Sequence, residues 1–229
     1  MISGAPSSLA AAIPAYQAAP WVEQVVRGAA TQAAAVLVVD DGSTDGTAER
    51  ARRAGAEVVS HGENRGKGAA LRTAFDRLFG RGFAAIVTLD ADGQHLPEEI
   101  PRLTAALDGA DLVLGARSHL FAQMSRLRRV SNRLSSRAIS LVAGQPLADV
   151  QSGFRIYTRG LIAATGFPGN RFEAESAVVV RAVRLGFRVV FVPVRLGCPD
   201  GRASSHYRPL VDSARIFKAV TRARWETAR

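Results

Sequence analysis

The sequence predicts an α/β fold, a mainly parallel sheet flanked by helices in a single domain spanning 1–229. Three observations predict it. Short apolar, partly β-branched runs alternate with single helical patterns through the first half, which marks βαβ units and a parallel sheet. Acidic and glycine-containing runs follow the second and fourth of those strands, where open α/β sheets hold ligands. The length of 229 residues, with 47% hydrophobic and 22% charged side chains and no repeat or low-complexity tract, allows one large domain or two small ones.

The elements follow in order. Leu9 to Ile13 is a short apolar strand ended by Pro14, and Pro20 to Gly28 is a helix with Pro in its first turn. Ala35 to Val39 is the second strand, and Thr44 or Asp45 caps a helix running to about Ala54. Glu57 to Ser60 is the third strand, followed by a helix from Lys67 to Phe79 that Gly80 ends. Phe83 to Leu89, a helix over Pro97 to Leu107, and a fifth strand over Asp111 to Leu114 complete the first half.

The second half changes character. Met124, Leu127, Val130, Leu134, Ala138 and Leu141 recur at helical spacing among five arginines. A polar loop, Asp149 to Gly153, precedes a strand at Phe154 to Tyr157. A helix over Glu173 to Leu185, a strand over Phe187 to Val194 and a basic amphipathic helix from about Pro209 follow. That last helix, near Trp225, suits either a membrane surface or a core-facing helix with a solvated side.

Charge is unevenly placed. The total is +10, yet residues 1–116 carry 10 basic and 14 acidic side chains, and residues 117–229 carry 20 and 6, a net of +14. Such asymmetry points the second half towards an anionic partner: phosphate, an acidic membrane surface or nucleic acid. The single cysteine, Cys198, excludes an internal disulfide framework and a cysteine-based metal cluster. The start lacks a basic region followed by an apolar core, and Arg181, Arg184 and Arg188 interrupt the most apolar stretch, so neither a signal peptide nor a membrane span is expected. His61, His95 and His119 read as ordinary loop or surface histidines, and Trp21 and Trp225 as packing residues.

The chemistry concentrates at Asp90-Ala91-Asp92-Gly93-Gln94-His95, directly after the fourth strand. Residues i and i+2 of an extended segment project to one side, so Asp90 and Asp92 can face one cation. A hard divalent ion held by one or two carboxylates keeps sites for substrate phosphates. Taken alone, Asp-x-Asp-Gly is equally a polar turn. Asp40 and Asp41 end the second strand, where a carboxylate accepts from a nucleobase N–H or a ribose hydroxyl. Asn64-Arg65-Gly66-Lys67-Gly68 opens the third helix, whose N-terminus attracts anions. It is not a Walker loop, because the glycine spacing and the Lys-Ser/Thr pair are missing.

Taken in order, Ile13-Pro14-Ala15-Tyr16, Val39-Asp40-Asp41-Gly42-Ser43, Asn64 to Gly68, Asp90 to His95, Gly115-Ala116-Arg117 and Gln151-Ser152-Gly153-Phe154-Arg155 resemble the family 2 inverting glycosyltransferases, and within them the dolichyl- or polyprenyl-phosphate mannosyltransferases. The likeness continues more loosely through Phe172 to Glu175 and Ser205 to Pro209. It implies a GT-A, Rossmann-like domain with a nucleotide-sugar-binding half over 1–116 and an acceptor-binding half over 117–229. Pro14, Tyr16, Asp40, Asp41, Lys67, Asp90, Ala91 and Asp92 would contact a GDP- or UDP-sugar. Asp90, Asp92 and Gln94 would hold Mg²⁺ or Mn²⁺. Arg117, Arg129, Arg133, Ser152 and Arg155 would face the acceptor, with Asp149, Gln151 and Arg117 at the reacting centre. His206 and Arg208 would close over the diphosphate as a lid.

Two departures stand out. The family's Tyr-Asn-Glu is here Tyr16-Gln17-Ala18, so the first motif does not name the base. The chain also ends after one terminal helix, without the transmembrane hairpin of some relatives. The expected activity is metal-dependent, inverting transfer of a mannose- or glucose-class hexose to a polyprenyl phosphate, on the cytoplasmic side and peripheral to the membrane. A phosphomonoester acceptor is already ionised, whereas a soluble hydroxyl acceptor, the alternative, requires a base, for which Asp149 is the candidate. A non-enzymatic nucleic-acid-binding protein is the remaining class. No nucleic-acid motif supports it, and no nucleic-acid partner is expected.

Overall fold

The computed structural model describes residues 8–117, 136–137, 139–197 and 209–226, the last segment with side chains from 215 onward. Among these residues seven strands form one sheet: β1 (Leu9–Ala15), β2 (Ala35–Asp40), β3 (Glu57–Ser60), β4 (Ala85–Thr88), β5 (Leu112–Ala116), β6 (Arg155–Thr158) and β7 (Val189–Pro193). Their spatial order is β3-β2-β1-β4-β6-β5-β7, with β6 antiparallel to both neighbours and all other pairs parallel.

Strands β1, β2, β4 and β5 are buried nearly throughout because helices cover both faces. On one face α1 (Val22–Ala30), α2 (Thr47–Arg53) and α4 (Ile100–Ala105) pack against Ala11, Ile13, Val36, Val38 and Val87. On the other, α3 (Lys67–Gly80), α5 (Arg159–Thr165), α6 (Glu173–Arg184) and α7 (Pro209–Glu226) pack against Ala10, Ala12, Leu37, Val39 and Ile86. Within a strand, alternate residues divide between the two cores, as the two-residue period of the pleat requires.

Several local expectations change. The helix over 97–107 splits into a 3₁₀ turn, Pro97–Glu99, and α4. Pro101 lacks an N–H and its ring collides with a preceding carbonyl, so the α-helix restarts with Pro101 in its first turn. Neither Thr44 nor Asp45 is the cap of α2. Gly46, at φ 86°, fills that position, while Asp45 Oδ1 accepts from the Thr47 amide at 3.0 Å. Helix α5 escaped the sequence reading because its seven residues follow a strand without a break; Thr158 caps it by accepting from the Leu161 amide.

Two features of the topology position the site. The chain proceeds from β1 to β2 and β3 on one side and to β4 on the other, so the switch point lies between β1 and β4. Because β6 runs antiparallel to β4, its start lies beside the end of β4, with Arg155 opposite Thr88. The Thr88 hydroxyl donates to the Gly153 carbonyl at 2.8 Å. The loop before β6 therefore reaches the ligand edge of the sheet, and the second half of the chain is interleaved with the first.

Candidate active site

Asp90 and Asp92 follow β4 at the switch point. The Lys67 ammonium lies 2.6 Å from Asp90 Oδ1 and 3.0 Å from Glu175 Oε2, joining α3, the end of β4 and α6. Burial alone would raise the Asp90 carboxyl, but the charge of Lys67 outweighs it and holds the group well below the usual carboxylate range. Lys67 is correspondingly raised: its two acidic partners overcome the burial that opposes its charge. Asp92 shifts the other way. Burial, then repulsion from Asp90, pushes its carboxyl up, although its Oδ1 accepts from the Gln94 amide at 3.0 Å.

That opposition bears on a metal. Two neighbouring carboxylates, one disfavoured by the charge of the other, are relieved by a hard cation that takes oxygen ligands from one or both. Asp90 and Asp92 fit such an ion. Among the described residues there is no cluster of three or more Asp, Glu, His or Cys side chains, so the remaining ligands would come from water and substrate phosphates.

Gly153 closes the floor of the site. A Cβ there would lie 2.5 Å from Lys67 Nζ and 2.9 and 3.0 Å from the Asp90 carboxylate oxygens. The turn before β6 therefore approaches the ion pair to a distance that only glycine permits. Ser152 is buried beside it, its hydroxyl accepting from the Phe154 amide. The Gln151 side-chain nitrogen is buried with no hydrogen-bond partner among the described residues.

After β5, Asp149 is fully buried and bound to Arg117 three times, through the backbone amide (2.9 Å), Nε (2.9 Å) and Nη2 (3.2 Å). Burial lowers the Arg117 guanidinium, but Asp149 more than restores it. Arg155 lies elsewhere than its expected place facing the acceptor. It is 1% exposed, and Nε, Nη1 and Nη2 donate to the carbonyls of Ser152, Glu175 and Val150. Its guanidinium is the internal brace of the loop, and at that burial no donor reaches the cleft.

The other flank of the site is built from loops after β1 and β2. Pro14 is half-buried within β1, which runs on through it to Ala15 instead of ending there, and Tyr16 is exposed just beyond. Gln17, at φ 51°, donates its amide to Ser43 Oγ, and its carboxamide exchanges hydrogen bonds with Thr44. Asp45 Oδ2 accepts from the Ala19 amide. Asp40 Oδ1 accepts from the Ser43 amide at 3.2 Å. Asp41 accepts from the amides of Arg65 and Gly66 and from His61 Nδ1 at 2.7 Å. The anion expected at the start of α3 is thus supplied from within, by Asp41, while Lys67 turns inward to Asp90.

The histidine expectation changes too. His61 is a buried link between Asp41 and Thr73, and His95 is buried against Phe154, ring centroids 5.2 Å apart. The Asp90 amide donates to His95 Nδ1 at 3.0 Å, so the imidazole is neutral with its proton on Nε2. Burial lowers its pKa from 6.5 to about 4. Glu175 is the site residue that sequence reasoning did not single out. Its signal lay in the Phe172 to Glu175 run, which spacing alone could not connect to Lys67. Arg129, Arg133, His119, Cys198, His206 and Arg208 lie outside the described residues.

The profile described as "Glycosyl transferase family 2" matches residues 11–166, about two thirds of the chain. The chain belongs to glycosyl transferase family 2. It is an enzyme, a glycosyltransferase. Similar family members include the glycosyltransferase AglJ of Haloferax volcanii, 32% identical over 95% of this chain and 72% of that protein. The polyprenol monophosphomannose synthase of Mycolicibacterium smegmatis is 33% identical over 69% of this chain and 65% of its own length. The undecaprenyl-phosphate mannosyltransferase of Micrococcus luteus is 34% identical over 69% and 70%. Among solved structures, glucosyl-3-phosphoglycerate synthase from Mycobacterium tuberculosis, in complex with Mn²⁺, UDP-glucose and phosphoglyceric acid, aligns with a TM-score of 0.73 at 19% identity, over 96% of this chain and 80% of that one. That likeness establishes the GT-A fold. No helix among the described residues is long and apolar enough to cross a membrane.

Proposed function

We propose that this family 2 enzyme transfers a hexose, of the mannose or glucose class, from a GDP- or UDP-sugar to a polyprenyl phosphate, with inversion and with Mg²⁺ or Mn²⁺. The observation that carries the acceptor assignment is the state of the carboxylates behind Asp90 and Asp92. Asp149 is spent on Arg117 and Glu175 on Lys67. Each is buried against its cation, whereas a general base must stand within hydrogen-bond reach of the proton it takes. A phosphomonoester arrives ionised and needs no base. The polyprenyl-phosphate enzymes among the relatives support the same reading.

In this scheme Pro14, Tyr16 and Asp40 border the nucleoside, with Asp41 holding the Arg65–Gly66 loop beneath it. Ala91 lies between Asp90 and Asp92, which together with Gln94 would border the diphosphate and hold the cation. A cation held there would supply charge to offset what develops on the departing diphosphate. An acceptor phosphate oxygen attacks the anomeric carbon from the face opposite the leaving group; that C–O bond forms as the bond to the nucleoside diphosphate breaks. Lys67, paired to Asp90, stands beside the leaving group. Arg117, held by Asp149, offers its remaining N–H groups to the acceptor phosphate, with Gln151 and Ser152 beside it. Bidentate guanidinium contacts fix orientation as well as charge, and orientation is most of what such a reaction requires. Arg129 and Arg133 are further acceptor candidates, and His206 and Arg208 are the lid candidates.

The test uses labelled GDP- and UDP-sugars with detergent-solubilised polyprenyl phosphate, with and without Mn²⁺. A lipid-extractable, acid-labile product that requires the metal is expected. Transfer only to a water-soluble hydroxyl acceptor would overturn the acceptor assignment, and turnover in excess chelator would overturn the metal.

A further inference from the structure

The outer surface of α7 is not explained by the reaction. Its inner face is ordinary: Ile216, Val220 and Ala223, at i, i+4 and i+7, are buried against α6. Outside that face stand Phe217, 61% exposed, and Trp225, 72% exposed, eight residues along and about 80° around the helix from each other. Leu141, 78% exposed, lies on the 139–143 helical segment that Arg224 Nη1 meets at the Val142 carbonyl, 3.5 Å away. Three large apolar side chains thus stand in water on adjoining elements. Around them Arg137, Arg215, Lys218, Arg222 and Arg224 are exposed, whereas Glu226, the one acid with a described side chain on α7, is held by Arg181 and Arg222.

We infer that this face docks on an anionic lipid bilayer, with Phe217, Trp225 and Leu141 entering the headgroup boundary and the surrounding Arg and Lys side chains meeting lipid phosphates. Charge complementarity selects that occupant: the half of the chain bearing the face carries +14. Aromatic side chains within a basic rim are the pattern of interfacial helices. The placement also serves the acceptor. Helix α7 packs on α6, which carries Glu175, and the Leu141 segment leads into the Asp149 loop, Ser140 Oγ accepting from the Leu147 amide at 2.9 Å. A docked α7 brings both acceptor-side elements to the lipid surface. The inference deepens the proposed lipid acceptor and is tested without one.

The full chain is mixed with phosphatidylcholine vesicles, neutral or containing about one-third phosphatidylglycerol, all free of polyprenyl phosphate, and sedimented. In a Trp21→Phe background, Trp225 emission should shift to the blue on anionic vesicles only, and the shift should fade as salt rises. The double variant F217S/W225S should bind anionic vesicles at least about tenfold more weakly, since each aromatic buries a large apolar surface. Its melting point and its protection by a nucleoside diphosphate should not change. Equal sedimentation of the variant, or no binding by the full chain, would overturn the inference. So would a dimer in sedimentation velocity that the double variant dissolves, because the face would then belong to a second copy. A soluble acceptor in the transfer assay leaves the vesicle result standing, so the two readings fail separately.

Discussion

Replacing Gly153 with Ala tests the geometry of the site most directly. Gly153 has no positive φ, so alanine meets no backbone strain. Its Cβ, however, would lie 2.5 Å from Lys67 Nζ and 2.9 and 3.0 Å from the two Asp90 oxygens. Ordinary contact begins near 3.4 Å, so the ammonium must retreat by about 1 Å. It cannot do so freely, because Asp90 holds it at 2.6 Å and Glu175 at 3.0 Å. A misplacement of about 1 Å at a positioned group costs about 100-fold in rate, which corresponds to about 2.7 kcal/mol of barrier. Stability should change little by comparison, because the groups that move are ends of side chains and alanine restricts the unfolded chain. The assay is kcat/KM with a nucleotide sugar, alongside thermal melting with a nucleoside diphosphate and Mn²⁺. A variant within twofold of the parent rate would refute the close approach. A variant that fails to fold would show that the turn cannot give way at its side chains.

Other perturbations follow the same logic. Asp92→Asn should cost at least about 100-fold in turnover and remove the Mn²⁺ dependence of nucleotide binding, yet leave the metal-free protein as stable or more so, because it deletes a carboxylate that burial and Asp90 disfavour. His95 should make the metal-free protein acid-sensitive. Its folded pKa is about 4 against 6.5 when unfolded, so the unfolded chain binds more protons between those values and stability falls as pH drops from about 6.5 to about 4. The loss at full titration is on the order of 3 kcal/mol, readable from urea unfolding across that range, and His95→Gln should flatten the slope. Arg155→Lys should destabilise by about 3 kcal/mol or more, because an ammonium cannot span the three carbonyls that the guanidinium fork satisfies. A change below about 0.5 kcal/mol in denaturant midpoint analysis would show that the brace is dispensable.

Much of the first half was legible in the chain. β-strands with both faces buried are continuous apolar runs, and the polar run after each marks where the strand leaves the sheet. Asp40, Asp41, Asp90 and Asp92 were therefore placed at strand ends by local pattern alone. What local pattern could not supply was the partner of each charge. Asp41 reads as a ligand group in sequence, yet it closes a loop 24 residues away. Arg155 reads as a phosphate contact, yet burial turns all its donors inward. Lys67 and Glu175, separated by more than a hundred positions, meet only because α3 and α6 cover the same face of the sheet.

The sequence by itself determined the fold class, the order of the strands along the chain and the chemistry at the end of β4, because each is written in residues close together. Only the tertiary structure decided that β6 enters the sheet antiparallel beside β4, that Gly153 rests on the Lys67–Asp90 pair, and that Arg117 neutralises Asp149. The physical reason is that hydrophobic period and turn chemistry act over a few residues. The state of a buried charge is set by whichever distant group the packed sheet brings within about 3 Å of it.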